Sequence, residues 1–450
     1  MRYKGEITVF LSLLFSILSA LTITVVESAR AQAIRAQTER VMQTSIHSSF
    51  GEYNQDLLSY YGIFAIDSSY RGSSGSVDHV REHLAEYAHE NFRSSDPTKQ
   101  KSDWNKIRVE KTEIRIYQLL SDREGDVLTD QAVKYELDKG ALPDRSQVLR
   151  AKSNMRTDGG SSFLGEFAQM LSRAGDVPDN PAGYVFECAT GRDLLDMVLG
   201  GSPETGTVPA DRASARSLDR GTYPGQLSVA DADFLFDVYL QDVFGTYVEP
   251  KSHAVHACEQ EYLISGKTKM ADSLRDCAQK IVAQREGRNL NGFFGNGRVL
   301  QETEELAAEL CAEGDGDPYY VQMSLLYAWA YAESVVECSR LLHGGRAEME
   351  GYSDPQTVPL RDLRDFVSYC GSCGGRGDAY ADYLTGLLAL TGRKQKVMRC
   401  MDLLEINIRH AGHAGFRVDK SVTYFKAKMS VDSSYGHGCE VEREYGYMIP

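Results

Sequence analysis

The chain has 450 residues, of which 42% are hydrophobic, and a formal net charge of −15. This charge argues against broad nucleic-acid binding, which depends on Lys and Arg side chains that neutralise phosphates. The length allows two or more domains with their own cores, and the nine cysteines, an odd number, leave at least one thiol outside any intramolecular disulfide.

The first predicted element is an apolar segment, residues 7–26, that contains no charged residue and has thirteen Leu, Ile, Val or Phe side chains. At ~1.5 Å per residue, a helix of this length crosses the roughly 30 Å hydrocarbon core of a bilayer. A cleaved secretory signal is the alternative, since Ala29-Arg30-Ala31 has the small-x-small form of a cleavage site, although signal cores usually span only about 7–15 residues. We predict a single-pass protein of the cell membrane, with residues 1–6 as a cytoplasmic tail and the bulk of the chain extracellular.

Three serines mark one side of the apolar segment: Ser12, Ser16 and Ser19 follow one another at spacings of four and three residues. Small hydroxyl side chains at this spacing let another membrane helix approach closely and form hydrogen bonds with it. Serines in helices also bond back to their own backbone. With Glu27 and Arg30 just beyond the segment, these residues are the candidates for helix packing.

Residues 27–50 contain neither Gly nor Pro and are rich in good helix formers, so the helix is predicted to continue outward. We assign residues 27–66 as a helical stalk that docks on the ectodomain, with one unbroken helix from residue 7 to about residue 60. Its docking face is predicted from apolar residues that recur at spacings of four and three. These residues are Ile46, Phe50, Tyr53, Leu57, Tyr60 and Phe64.

The stretch KGEITVFLSLLFSILSALTITVVESAR, residues 4–30, resembles the N-terminus of the TadE/TadG-like pilin-related proteins (pseudopilins) of tight-adherence, or Flp-type, pilus systems. The stretches YNQDLLSYYGIFAIDSSY (53–70) and YADYLTGLLALTGRKQKVMRCMDLLEINIR (380–409) look like a large Gram-positive family of uncharacterised proteins with this start. The resemblance implies a non-enzymatic pseudopilin or accessory subunit in the assembly of a pilus or a related secretion system. Its partners would be membrane lipid and other membrane subunits of that system, and no cofactor is expected.

The resemblance also implies a candidate site for cleavage by prepilin peptidase, after Gly5 and before Glu6. Typical pilins carry a Glu five residues after the Gly that prepilin peptidase processes. Here Phe10 occupies that place and Glu6 follows Gly5 directly. The chain therefore departs from the family pattern at this site.

The remainder is predicted to be an α+β ectodomain. Residues 67–152 form its first part, with helices at 77–92 and 126–140 and strands within 104–120, where apolar and polar residues alternate. Residues 153–230 are rich in Gly, Ser, Asp and Pro, which predicts an irregular insertion or linker. Residues 231–450 are predicted to be mainly helical with strands at the end.

The sharpest chemical motif is CGSC, in which Cys370 and Cys373 have the spacing of a disulfide or redox pair or of half a zinc site, although the pair can also have a purely structural role. It supports an alternative function, a tethered or secreted extracellular protein that binds a ligand or performs redox chemistry. His79 and His83 lie one helical turn apart but without the acidic partner of a zinc-protease motif, so we expect solvated side chains. No phosphate-binding loop or serine-nucleophile motif occurs, and we expect no catalytic or metal site.

Overall fold

The computed structural model describes residues 3–94, 106–140, 144–156, 163–203, 206–208, 229–312 and 314–447. Its helices are α1 (Tyr3–Phe50), α2 (Gln55–Tyr61), α3 (Val77–Ser94), α4 (Asp126–Lys139), α5 (Arg145–Asn154), α6 (Phe163–Arg173), α7 (Pro181–Gly191), α8 (Leu194–Leu199), α9 (Val229–Val243), α10 (Glu259–Ser265), α11 (Met270–Gly295), α12 (Gly297–Cys311), α13 (Pro318–Leu342), α14 (Tyr380–Leu390) and α15 (Arg393–His410). Its strands are β1 (Ile66–Asp67), β2 (Ile107–Leu119), β3 (Arg346–Ala347), β4 (Asp378–Ala379), β5 (Ser421–Ser433) and β6 (Cys439–Gly446). A mixed helix and sheet structure is therefore confirmed.

The chain divides into two compact units. The first takes its residues mainly from Met1–Gln131 and Ile408–Pro450, the two ends of the sequence. The second takes its residues from Ala132–Arg216 and Leu227–Asn407. The predicted second part, 231–450, thus differs from the observed unit, because strands β5 and β6 pair with elements from the other end of the chain.

An antiparallel sheet organises the first unit around β5. On one edge β5 pairs with β2 along nearly its whole length, from Ile107 opposite Ser433 to Leu119 opposite Val422. On its other edge it pairs with β1 and with β6. The strands that were predicted within 104–120 from alternation, and those predicted at the end of the chain, are confirmed by β2, β5 and β6.

The outer part of α1 lies on this sheet. Its residues Ile34, Val41, Met42, Ile46 and Phe50 are buried at helical spacing. They share a core with residues of α3 and β5, namely Val80, Leu84, Ala88, Val422, Phe425, Ala427, Met429 and Val431. The rings of Phe50 and Phe425 stack with their centroids 4.8 Å apart. Burial of this face, at roughly 25 cal/mol per Å² of apolar surface, holds the helix in place.

The prediction of one helix up to about residue 60 is wrong, because α1 ends at Phe50. Gly51 follows, and glycine is a poor helix former. Asn54 then caps a separate helix, α2, since its side chain accepts a hydrogen bond from Leu57 N at 2.9 Å. The predicted docking face is consequently split: Ile46, Phe50 and Leu57 are buried, whereas Phe64 is exposed.

Helix α13 is the centre of the second unit. Every residue from 324 to 339 is buried, as expected for a helix surrounded on all sides. It packs against α6, α7, α8, α11 and α12 and against a 3₁₀ helix, Leu360–Tyr369. Three of these helices lie in the stretch 153–230 that was predicted to be irregular. Some of the turn-forming residues in this stretch cap helices instead: the side chains of Asn180 and Asp193 accept hydrogen bonds from backbone N–H groups at the starts of α7 and α8.

A buried ion pair joins α11 to α13. The Arg285 guanidinium donates to both Glu337 oxygens, at 2.8 and 3.0 Å, and neither side chain is more than 1% exposed. Asn289 donates to the same carboxylate at 2.9 Å. Two desolvated charges are tolerated here because each is paired and hydrogen-bonded.

We expect Arg285→Met to lower the free energy of unfolding by roughly 3–5 kcal/mol, because it leaves the Glu337 carboxylate buried without its cation. The double variant Arg285→Met/Glu337→Leu should lose less, since the uncompensated charge is gone. Urea unfolding followed by the fluorescence of Trp329, which is buried in α13, measures both; a Trp104→Phe background removes the other tryptophan. A double variant less stable than the single one would contradict this account.

Four of the buried glutamates of the second unit have pKa values well above the ordinary range. Burial raises the pKa of Glu259, Glu261 and Glu333 to about 7 and that of Glu286 to about 8. Between the ordinary value of 4.5 and these values the folded protein holds more protons than the unfolded chain. The stability contributed by protonation is therefore present below about pH 4.5 and is lost as the pH rises through 7 to 8.

We expect the free energy of unfolding to fall between pH 5 and pH 8 by at least about 3 kcal/mol, the contribution of a single group whose pKa lies two units above pH 5 at about 1.4 kcal/mol per unit. The variant Glu261→Gln/Glu333→Gln should show a flatter dependence over the same range, because two titrating groups are removed. Urea unfolding at each pH tests this. An unchanged slope in the double variant would show that these carboxylates do not titrate as the structure indicates.

Candidate functional site

The apolar segment, residues 7–26, is uncovered in this structure. Its large side chains are between 45% and 72% exposed, with Phe10 at 66% and Phe15 at 72%. The helix that carries it, Glu6–Phe50, has a mean hydropathy of 2.5 in its most apolar window. Among the described residues, this one helix is long and apolar enough to cross a membrane. An exposed apolar surface of this size indicates a contact with lipid or protein.

Four hydroxyl groups of the apolar segment are hydrogen-bonded within the helix. Ser12 donates to Val9 O at 2.8 Å and Ser16 donates to Leu13 O at 3.0 Å. Thr22 and Thr24 donate to the carbonyls four residues earlier. Hydroxyls bonded in this way carry no unmet donor into a hydrocarbon environment. The helical spacing still places Ser12, Ser16 and Ser19 in one narrow stripe.

The predicted processing residues lie at the start of α1. Glu6 belongs to its first turn, and Gly5 precedes it within the same helix. Glu6 is exposed. Processing after Gly5 stays a prediction.

Immediately beyond the apolar segment, four side chains form a junction between α1 and the connection of β5 to β6. Glu27 contacts Arg30 at 3.2 Å and His437 Nε2 at 2.5 Å. The Arg30 guanidinium lies 4.0 Å from the centroid of the Tyr435 ring, a cation–π contact. The structure thus brings the predicted pair Glu27 and Arg30 together and adds two partners that sequence reasoning missed. No local signal could have found His437, which is 410 residues from Glu27.

The hairpin formed by β5 and β6 continues along the stalk segment, residues 27–50 of α1. Cys439 Sγ lies 3.5 Å from Thr38 Oγ1, and Arg443 forms an ion pair with Glu39 at 3.5 Å. At the far end the Tyr447 hydroxyl donates to Phe50 O. At ~1.5 Å per residue, these contacts extend over about 35 Å of helix.

The two histidines expected to be solvated are in fact partnered and half-buried. His79 Nδ1 lies 2.9 Å from Ser68 O. His83 Nδ1 lies 3.0 Å from Glu52 Oε1, and its ring stacks on Tyr70 at a centroid distance of 3.7 Å. Both side chains are used in packing the first unit.

Cys370 and Cys373 are both free thiols in this structure. They follow the 3₁₀ helix Leu360–Tyr369 and precede a glycine-rich turn, whereas reactive Cys-x-x-Cys pairs lie at a helix N-terminus that lowers the thiol pKa. Burial instead raises the pKa of Cys370 to about 11. This geometry does not favour a thiolate at neutral pH. Within the described residues, no group of three or more His, Cys, Asp or Glu side chains is placed to hold a metal.

The stalk packing predicts a specific cross-link. In Thr38→Cys the new thiol lies beside Cys439, so copper-phenanthroline oxidation should form a disulfide between positions 38 and 439, read out by peptide mass mapping. Cys439→Ser in the same background removes it. Ala36→Cys is the matched control, because residue 36 is exposed and lies about 160° around the helix from residue 38. A folded Thr38→Cys variant without this link would contradict the packing.

Comparison with known proteins places the larger part of the chain in a family. A model described as a family of unknown function, DUF5702, matches residues 179–433, which is more than half of the 450 residues. The match takes in most of the second unit and β5, and it does not include α1. No curated protein and no solved structure matches the chain. The chain belongs to the DUF5702 family.

Proposed function

We propose that this protein is a single-pass membrane subunit that acts as a pseudopilin-like or accessory component of a tight-adherence-type pilus or a related secretion assembly. Residues 7–26 would span the membrane, with the tail on the cytoplasmic side and both compact units outside the cell. The partners would be membrane lipid and other membrane subunits of the assembly. The proposal involves no catalysis and no cofactor.

The observation that carries the proposal is the uncovered apolar segment. Each central Leu, Ile, Val or Phe in a membrane helix contributes roughly −0.3 to −0.6 kcal/mol to insertion. Thirteen such residues stand here and no charge opposes them. Lipid is therefore the environment in which this surface is most stable.

The continuity of α1 supports a role beyond tethering. One helix without an interruption carries the apolar segment and the stalk segment, and the stalk is packed against the hairpin through Thr38, Phe50 and the Glu27 junction. A displacement or force applied to the apolar segment would pass directly into the first unit. A flexible linker, which a simple tether would tolerate, is not found at this point.

The competing function is a tethered binding protein without an assembly role. Substitution of the serine stripe, Ser12, Ser16 and Ser19, distinguishes the two functions, because only an assembly subunit needs this face for helix packing. The variant Ser12→Leu/Ser16→Leu/Ser19→Leu keeps the helix apolar but fills its narrow face. We expect membrane partitioning to stay unchanged and the number of surface fibres to fall at least fivefold in cells that carry this copy alone. Electron microscopy of those cells gives the count.

The matched control is Thr24→Leu, which removes a hydroxyl that lies at least about 80° around the helix from each of the three serines. It should leave the fibre count unchanged. Equal counts in the serine variant and the unaltered protein would refute an assembly role for this face.

The intact mass of the protein purified from its native membrane tests N-terminal processing. Loss of residues 1–5 indicates cleavage after Gly5, and a full-length chain indicates a permanent anchor.

A further inference from the structure

The second unit contains a cleft of about 830 Å³ that the proposed function does not use. Its walls come from α5, α6, α7, α8, α11 and α13. Ligand sites for small molecules commonly have volumes of about 300–1,000 Å³. The cleft is therefore large enough for a ligand of several hundred daltons.

Glu286 of α11 lies in the wall of this cleft and is only 6% exposed. Among the described residues it has no hydrogen-bond or ion-pair partner. Other buried acids of the unit differ: Glu261 accepts from Tyr247 N, and Glu333 accepts from Val358 N. Burial alone raises the pKa of Glu286, to about 8. A carboxyl group in this state is costly to ionise unless a cation is supplied from outside the chain.

Another buried acceptor of the same helix, two residues from Glu286, leaves the helix about 160° around its axis from Glu286. Gln284 also lines the cleft, and its Nε2 donates to Met349 O at 2.9 Å. Its Oε1 atom is buried without a partner. Because this oxygen is inaccessible to solvent, the Glu286 carboxyl is the acceptor that a ligand in the cleft can reach.

The rest of the lining combines buried apolar side chains with polar side chains, among them Gln279 and Asn291, and with three guanidinium groups. Leu194, Met197, Val282 and Leu290 supply buried apolar surface. The guanidinium groups come from Arg156 and Arg192, which are exposed, and from Arg288, which is half-buried. Arg288 donates to Asn154 at 3.2 Å, and Arg192 donates to the Tyr184 hydroxyl at 3.4 Å. Both retain further N–H groups, because a guanidinium has five donors.

The second acid in the lining is already engaged. Glu166 accepts a hydrogen bond from the Tyr327 hydroxyl at 2.7 Å. Glu286 is therefore the carboxyl of the lining that has no such partner among the described residues. The three guanidinium groups would repel a simple polycation, which excludes polyamines in spite of the acidic chain.

We infer that the cleft binds a short apolar peptide that enters with its N-terminus first. The ammonium group would pair with Glu286, the side chains would pack on Leu194, Met197 and Val282, and the carboxylate would meet the guanidinium groups. This arrangement gives the Glu286 carboxyl a cationic partner and the guanidinium groups of the lining an anionic one. It is independent of the pilus proposal, since it rests on the second unit alone.

The test is isothermal titration calorimetry of the full-length protein in detergent with the tripeptide Leu-Leu-Leu as the probe. N-acetyl-Leu-Leu-Leu lacks the ammonium group, and Leu-Leu-Leu-amide lacks the carboxylate. We expect the free tripeptide to bind at least tenfold more tightly than the acetylated form and at least threefold more tightly than the amide. Glu286→Gln should remove the preference over the acetylated form, because the glutamine is neutral and of nearly the same shape.

A second variant keeps the test decisive if Glu286→Gln alters folding. Ala283 lines the cleft but is exposed, so Ala283→Trp fills space without disturbing the core. It should weaken binding of the free tripeptide at least tenfold, with the urea midpoint unchanged. Absence of binding, equal affinity for the acetylated peptide, or full affinity in Ala283→Trp would each overturn the inference.

Discussion

The packing of the stalk segment against the β5–β6 hairpin is the contact on which the arrangement of the first unit depends. It brings residues from the two ends of the sequence together, with Thr38 beside Cys439 and Phe50 stacked on Phe425. Because the same helix carries the exposed apolar segment, the direction in which that segment leaves the unit follows from this contact. A helix packed over about 35 Å of its length has little freedom to pivot.

The second unit contains two buried glutamates, Glu337 and Glu286, that differ in whether a partner compensates their charge. Glu337 is compensated by Arg285 and Asn289, and this network ties α11 to α13. Glu286 lies on the same helix α11 yet faces a cleft and has no partner in the described part of the chain. The first arrangement specifies the fold, whereas the second leaves a desolvated acceptor available to a ligand.

These two observations suggest a division of roles. The uncovered helix belongs to the first unit, and the cleft belongs to the second, which supplies most of the region matched by the family model. The proposed membrane attachment and the proposed ligand site thus rest on residues of different units.

The sequence by itself determined the features that depend on neighbouring residues. An uncharged run of about twenty residues specifies a helix suited to a bilayer, and alternation specifies the strand β2. Helices α3 and α4 also followed from local periodicity. The end of α1 at Phe50 was missed because the cap of α2 at Asn54 competes with helix continuation, and only packing decides which of the two prevails.

Tertiary structure alone decided the features that join distant residues. Glu27 contacts His437, and Arg30 contacts Tyr435, because the β5–β6 hairpin packs beside α1. No local sequence pattern in either segment predicts this packing. The sequence also does not predict that Glu286 lacks a partner among the described residues, because in the sequence it is one of many charged residues on a helix. Whether a carboxyl is solvated, paired or stranded in a cleft depends on the elements that pack around it, and these are brought together only by the fold.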